Sequence, residues 1–165
     1  MAKILVCYYS RTKHTQHMAE AVAQGAQGVA GAQVDVRSVD QVKPKQLLDY
    51  QGIIIGSPTY YGTMSAEMKR LLDDSVEFHG QLAGKVGGAF SSSANVGGGN
   101  ETTVLDILKA LLIHGMVIQG SPSGDHYGPV AIGDMDQRAR VQCLSLGKAV
   151  AELAARLHGK CCELA

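Results

Sequence analysis

The sequence predicts an α/β fold, a doubly wound parallel sheet of five strands with helices on both faces. Three observations predict it. The run at 3–9, which contains Ile4-Leu5-Val6-Cys7-Tyr8-Tyr9, and the run GIIIG at 52–56 are apolar without alternation, as strands covered on both faces must be. Helical patterns separate one apolar run from the next, so the strands are joined by crossovers, which are nearly always right-handed. The chain has 165 residues, 45% of them apolar, which suits one domain over 1–165 with a full core.

The elements follow in order. Residues 3–9 read as the first strand. Thr15 opens a helix to 27, with Met18, Ala19, Val22, Ala23 and Ala26 at helical spacing and Gly25, Gly28 and Gly31 as stop signals. Residues 34–39 alternate as a second strand, 43–50 form a short connection around Pro44, and 52–56 form the third strand. A helix at 65–78 carries Met68, Leu71, Leu72 and Val76 on one face, with Ser65 as N-cap and Glu67 in the first turn. Residues 85–91 are a fourth strand containing Gly87 and Gly88. A helix at 101–114 stops at Gly115. Short strand candidates at 116–119 and 130–132 flank a Gly/Ser/Pro-rich excursion, and 136–157 form the closing helix.

Lys plus Arg equals Asp plus Glu at fifteen each, so overall charge points to neither nucleic acid nor an anionic membrane. No run is long and apolar enough to span a bilayer and no signal pattern opens the chain, so a cytoplasmic location is expected. Cys7, Cys143, Cys161 and Cys162 form no C-x-x-C pair, and reduced thiols are expected, with Cys7 inert inside the first strand. The adjacent Cys161 and Cys162 read as an exposed oxidation liability.

In doubly wound sheets ligands bind beyond the carboxyl ends of the strands, at the switch in strand order. The three loops there have unusual composition. The first, YYSRTKHT, supplies Ser10, Thr12 and Thr15 hydroxyls before a helix whose free N–H groups and dipole favour an anion, a phosphate monoester fitting best. A single N-cap would need one hydroxyl, not three. Arg11, Lys13 and His14 add positive potential or form a solvated edge. His14 and His17 lie one turn apart, but no third ligand completes a metal set, so no metal is expected. No G-x-G-x-x-G follows the first strand, which disfavours a dinucleotide fingerprint.

The second loop, Pro58, Thr59, Tyr60, Tyr61, Gly62 and Thr63, offers two aromatics on which a planar ring can stack, although Tyr also packs on protein. Gly62 is the expected turn glycine with positive φ. The third, SSSANVGGGN, presents Ser91, Ser92, Ser93, Ala94, Asn95, Gly97 and Gly98, with backbone groups close to a ligand. A phosphate at the first loop and a flat, polar-edged ring between the other two describe a mononucleotide with a large heteroaromatic base, and flavin mononucleotide (FMN) is the natural candidate.

At these motifs the chain resembles the flavodoxin-like family, and within it the WrbA-type NAD(P)H:quinone oxidoreductases. YYSRTKHT resembles that family's phosphate loop. GSPTYYGTMSAEMKRLLD resembles its Pro-Thr-x-aromatic-Gly-x-Met loop and following helix, and FSSSANVGGGNETT with HGMVIQG resembles its glycine-rich loop and the entry to the fifth strand. The resemblance implies strand order 2-1-3-4-5. It also implies FMN, with Ser10, Arg11, Thr12, Lys13, His14 and Thr15 around the phosphate. Pro58 to Thr63 would lie along one side of the ring and Ser91 to Gly98 along the other. His126, in SGDHYG, falls where the family has a histidine overlooking the flavin, suited to hydrogen-bonding a quinone oxygen, and Tyr61 is the second expected substrate contact. Lys13 stands where many relatives have Gly, which argues against a positive φ there. Tyr60 and Tyr61 replace the usual basic residue and Phe. The chain is also shorter than typical members between Gly120 and Gly128, a region that helps build the family's tetramer and roofs its site.

Two functions follow from the resemblance. One is an enzyme passing electrons from NAD(P)H through FMN to a quinone or similar acceptor, as a homo-oligomer, dimer or tetramer. The alternative is a flavodoxin that shuttles electrons between redox partner proteins. Carrier flavodoxins are usually acidic, and this chain is neutral, which favours the enzyme.

Overall fold

The computed structural model describes residues 1–159; Cys161 and Cys162 lie outside them. The elements are β1 (Ala2–Tyr8), α1 (His14–Gln27), β2 (Ala32–Ser38), β3 (Gly52–Pro58), α2 (Ala66–Asp74), β4 (Val86–Ser93), α3 (Asn100–Ile113), β5 (Val117–Ile118), β6 (Val130–Ile132) and α4 (Gln137–His158). All strand pairs are parallel and the order is β2-β1-β3-β4-β5, as expected. β6 also runs along β4. Val117 and Ile118 pair with Val86 and Gly87, whereas Val130, Ala131 and Ile132 pair with Ser91, Ser92 and Ser93. The fifth position is therefore filled by one strand interrupted at 119–129.

The unbroken apolar runs have a simple cause. Leu5, Ile53 and Ile55 point to a core shared with Met68 and Leu71 of α2 and Ile107 and Leu111 of α3. Ile4, Val6 and Ile54 point the other way, to Met18 and Val22 of α1 and Val150 of α4. Each such side chain, fully buried, stabilises the fold by roughly 1.5–3 kcal/mol relative to exposure. Ile4 to Cys7, Ile53 to Ile55 and Val86 to Phe90 meet water on neither face, so polar residues enter these strands only near their ends, at Lys3, Ser57 and Ser91 to Ser93.

Gly25, expected as a stop signal, does something else, and Gly56 and Gly147 are also set by packing. Gly25 does not stop α1; a Cβ there would stand 2.0 Å from the Leu144 carbonyl oxygen of α4, and one at Gly147 would stand 1.8 Å from the Val22 carbonyl oxygen of α1. The two helices cross with their backbones in direct contact. Gly56 makes room for the ring of Phe90, which a Cβ would meet at 2.1 Å. The expected helix at 65–78 divides into α2 and a tighter 3₁₀ turn, Ser75–Phe78. Ser65 does cap α2, its Oγ accepting from the Met68 N–H at 3.3 Å, with Glu67 in the first turn. Cys7 and Cys143 are both fully buried, and burial pushes each thiol up to about 12. Among the described residues no helix is long and apolar enough to cross a membrane.

Candidate functional site

The carboxyl ends of β1, β3 and β4 open into one cleft of about 610 Å³, lined by Arg11, Thr12, His14 and Thr15, by Pro58, Thr59 and Tyr60, by Ser92, Ser93 and Ala94, and by Gly133. The three loops singled out in the sequence thus converge. Gly133, at the end of β6, adds a fourth wall.

At the first loop the free hydrogen-bonding capacity is concentrated. The first bond within α1 runs from the His17 N–H to the Lys13 carbonyl, so the N–H groups of His14, Thr15 and Gln16 lack helical acceptors, and the N-cap Lys13 makes no side-chain cap bond. Ser10 Oγ is buried without a partner. A buried hydroxyl left unpaired costs about 1–3 kcal/mol, so it calls for a ligand. The donors present fit a phosphate monoester, with Arg11 and Lys13 exposed beside them. Lys13 overturns the expectation of an ordinary backbone: its φ is 71°, left-handed, where a glycine would be free of strain. Thr15 is buried, and its Oγ1 shares a 2.9 Å hydrogen bond with Ser92 Oγ, tying the first loop to β4.

The second loop is a tight turn. Tyr60 and Thr63 exchange both backbone hydrogen bonds, at 2.8 and 3.2 Å, around Tyr61 (φ 49°) and Gly62 (φ 83°). The expected positive φ of Gly62 is present, and Tyr61 shares it. Tyr61 projects fully into solvent and Tyr60 is 36% exposed, its ring standing edge-on to Tyr9 at 6.2 Å. The loop is stapled to α3: Thr63 Oγ1 donates to Asp106 Oδ2 at 2.7 Å, Thr102 Oγ1 to the Gly62 carbonyl at 3.1 Å, and Thr103 Oγ1 lies 3.0 Å from Thr59 Oγ1. Hydrogen bonds from Lys109 and Thr63 hold the Asp106 carboxyl below the usual carboxylate range. Thr59 Oγ1 in turn bonds Ser91 Oγ at 3.1 Å.

Of the third loop, Ser91, Ser92 and Ser93 are buried at the end of β4, while Ala94, Asn95, Gly97 and Gly98 are exposed on its rim, with Val96 84% exposed between them. Gly97 and Gly99 have φ of 67° and 96°. His126 stands apart from the cleft. It is exposed on the 119–129 excursion, its Nδ1 2.9 Å from the Ser121 carbonyl oxygen, and it lines a different cavity of about 130 Å³ against Gln142, Ser145 and Leu146 of α4. The excursion is held there by Asp125, which pairs with Arg138 of α4 at 2.6 Å and accepts from the Val130 N–H at 2.9 Å.

Sequence reasoning missed Thr102, Thr103, Asp106 and the β6–α4 turn, Gly133-Asp134. The first three are visible as a polar first turn and second turn on α3. The last had a signal too: IGDMD is a strand-to-helix turn at the same sheet edge as the other three loops. Asp134 Oδ1 stands 2.7 Å from His14 Nδ1 and 3.8 Å from His17 Nδ1. The metal set that His14 and His17 lacked in sequence gains a carboxylate in space, yet among the described residues no His, Cys, Asp and Glu group is arranged to hold a metal.

A parallel sheet in this order, with helices on both faces and a cleft at its carboxyl edge, defines a doubly wound protein of the flavodoxin-like class. The flavodoxin family profile matches residues 6–139, and the chain belongs to that family, which implies a flavin cofactor. A protein of Chromohalobacter salexigens called NAD(P)H dehydrogenase (quinone) is 34% identical over 201 positions, covering 96% of this chain and all of that one. A protein of Aquifex aeolicus called flavodoxin is 38% identical over 160 positions, covering 92% and 86%. The crystal structure of a WrbA-like flavodoxin from Agrobacterium tumefaciens superposes with TM-score 0.80 at 27% identity, over 95% and 99% of the two chains. The 201 positions of the first alignment exceed the 165 residues of this chain, so that relative carries segments with no counterpart here.

Proposed function

We propose that this protein binds FMN and passes electrons from NAD(P)H to a quinone or similar acceptor. The observation that supports a phosphorylated flavin over riboflavin is the buried, unpartnered Ser10 Oγ on the loop that leads into three free N–H groups of α1, and the missing G-x-G-x-x-G after β1 favours FMN over a dinucleotide. Ser10, Thr12, Lys13, His14 and Thr15 take the phosphate, with Arg11 adding positive potential. Pro58 to Thr63 and Ser91 to Gly98 flank the ring. Bound FMN supplies a ring that accepts two electrons from a nicotinamide and yields them to a quinone. The chain's own residues position that ring. The hydroxyl chain Ser91, Thr59 and Thr103 fixes the floor, and the Tyr60–Thr63 turn, braced by Asp106, forms one lip. Tyr61, fully exposed on that lip, is the residue placed to contact an aromatic acceptor. His126 would reach the acceptor only if the 119–129 excursion moved toward the cleft.

The enzyme reading is supported by the quinone-dehydrogenase relatives and by the absence of net charge to steer a carrier to its partner. The site residues, the cytoplasmic location and the homo-oligomer are parts of the same proposal. The electron-carrier reading is favoured by the flavodoxin relative of similar length and by the distance of His126 from the cleft. An anaerobic visible spectrum of the FMN-loaded protein separates them. The flavin bands should bleach on NADH or NADPH alone and return on benzoquinone. Bands that persist with both nucleotides, yet bleach with dithionite, would establish the carrier instead. A Ser10→Ala, Thr12→Ala double variant should lose bound FMN under either reading, and undiminished flavin content would overturn the phosphate assignment.

A further inference from the structure

We propose that Asp134 is a positioning residue for the cofactor phosphate, acting through His14; the inference rests on the FMN reading above. Asp134 follows Gly133, the residue through which the β6–α4 turn reaches the cleft wall. His14 is the first residue of α1 and lines the same cleft. The 2.7 Å contact between Asp134 Oδ1 and His14 Nδ1 joins two elements 120 residues apart in sequence. An ionised carboxylate only accepts, so Nδ1 carries the proton in this contact and Nε2 is the nitrogen left to serve a ligand.

A carboxylate near an anion site should by itself repel phosphate. A phosphate oxygen only accepts, so a ring that serves it through Nε2 while Nδ1 donates to Asp134 carries both protons in the bound state; carboxylate, ring and phosphate then alternate in charge and each neighbouring pair attracts. The remaining charged groups close by are His17, Glu20 and Arg140, which share the groove outside His14 with Asp134, and Arg11 and Lys13, exposed on the first loop. His17 Nδ1, at 3.8 Å from the same Oδ1, is a weaker partner for the carboxylate. Asp134 therefore serves the site only as long as His14 is present.

The test measures dissociation constants of FMN and riboflavin for the full chain freed of flavin, in the wild type, Asp134→Asn, His14→Ala and the double variant. The His14 and Asp134 side chains are 35% and 78% exposed, so the expected loss for Asp134→Asn is about fivefold for FMN, with riboflavin affinity unchanged. In the His14→Ala background the same substitution should leave FMN affinity unchanged or improve it, because a lone carboxylate has been removed. Unaltered thermal unfolding of the flavin-free variants separates positioning from damage to the fold. Asp134→Asn binding FMN as tightly as the wild type, weakening riboflavin equally, or weakening FMN without His14 would each overturn the inference. A wild type that does not prefer FMN to riboflavin would instead remove the phosphate reading, and this inference with it.

Discussion

Lys13 and Tyr61 are the two non-glycine residues with positive φ among the described residues, and each lies in a loop whose neighbouring residues line the cleft. Strain held at a site of this kind is a cost accepted for placement of backbone or ring. Lys13→Gly and Tyr61→Gly should each raise the stability of the flavin-free protein by about 1 kcal/mol, read by urea unfolding. Tyr61→Gly should at the same time slow quinone reduction at saturating FMN, whereas Lys13→Gly should weaken FMN retention instead. His114 offers a pH readout far from the cleft. It is 7% exposed, its Nε2 lies 2.8 Å from Ser75 Oγ, its Nδ1 has no partner, and burial followed by the nearby His79 lowers its pKa below 6.5. The unfolded chain therefore binds the proton more readily than the folded one, and stability should be lost as pH falls from about 6.5 toward the lowered value. Midpoints of thermal unfolding between pH 7.5 and 5 should drop in the wild type and drop less in His114→Gln. Cys7 and Cys143, with thiols at about 12, should resist iodoacetamide at pH 8.5 until the protein is unfolded.

Between elements, the α1–α4 crossing is the least forgiving contact. A methyl group at Gly147 has only backbone to push against, the Val22 carbonyl at 1.8 Å, and no side chain can rotate out of its way. Gly147→Ala should cost about 3 kcal/mol in urea unfolding, at the upper end of overpacking effects, while an Ala at Gly28, outside the crossing, should cost little. This crossing was not legible in the sequence. Gly25 reads locally as a helix stop, because nothing in a single helical pattern reveals which backbone will lie against it. Apart from the 65–78 helix, whose last turn tightens to 3₁₀, strands and helices were legible to within a residue or two, since both faces of β1 and β3 are buried and the apolar runs announce that directly. The cleft's three loops were legible for a related reason: polar and glycine residues gather where the strands stop being covered. For Asp134 and the α3 staples the residue types were visible but not their roles, because they act through partners 40 to 120 residues away. The His126 expectation came from resemblance alone, and the chain places that side chain against α4 instead.

For the molecule as a whole, the cleft should couple cofactor to fold. Anything that binds only the native state stabilises it by mass action, about 2.7 kcal/mol at a hundred times Kd. FMN at that excess should raise the midpoint of thermal unfolding by about 5–10 °C in a chain of this size, and riboflavin at equal concentration should raise it less. The interrupted fifth strand has a different consequence. Both halves remain registered on β4, and the return at Gly128 (φ 146°) passes so near the Ala89 carbonyl that a Cβ would meet it at 2.2 Å. The two seams are thus fixed independently of what lies between them. Residues 121–125 form a splice point: ten foreign glycine and serine residues inserted there should leave the sheet intact, whereas the same insert next to Gly128 should abolish it. A fold with such a port can lengthen or shorten one surface segment without relearning how to build its sheet.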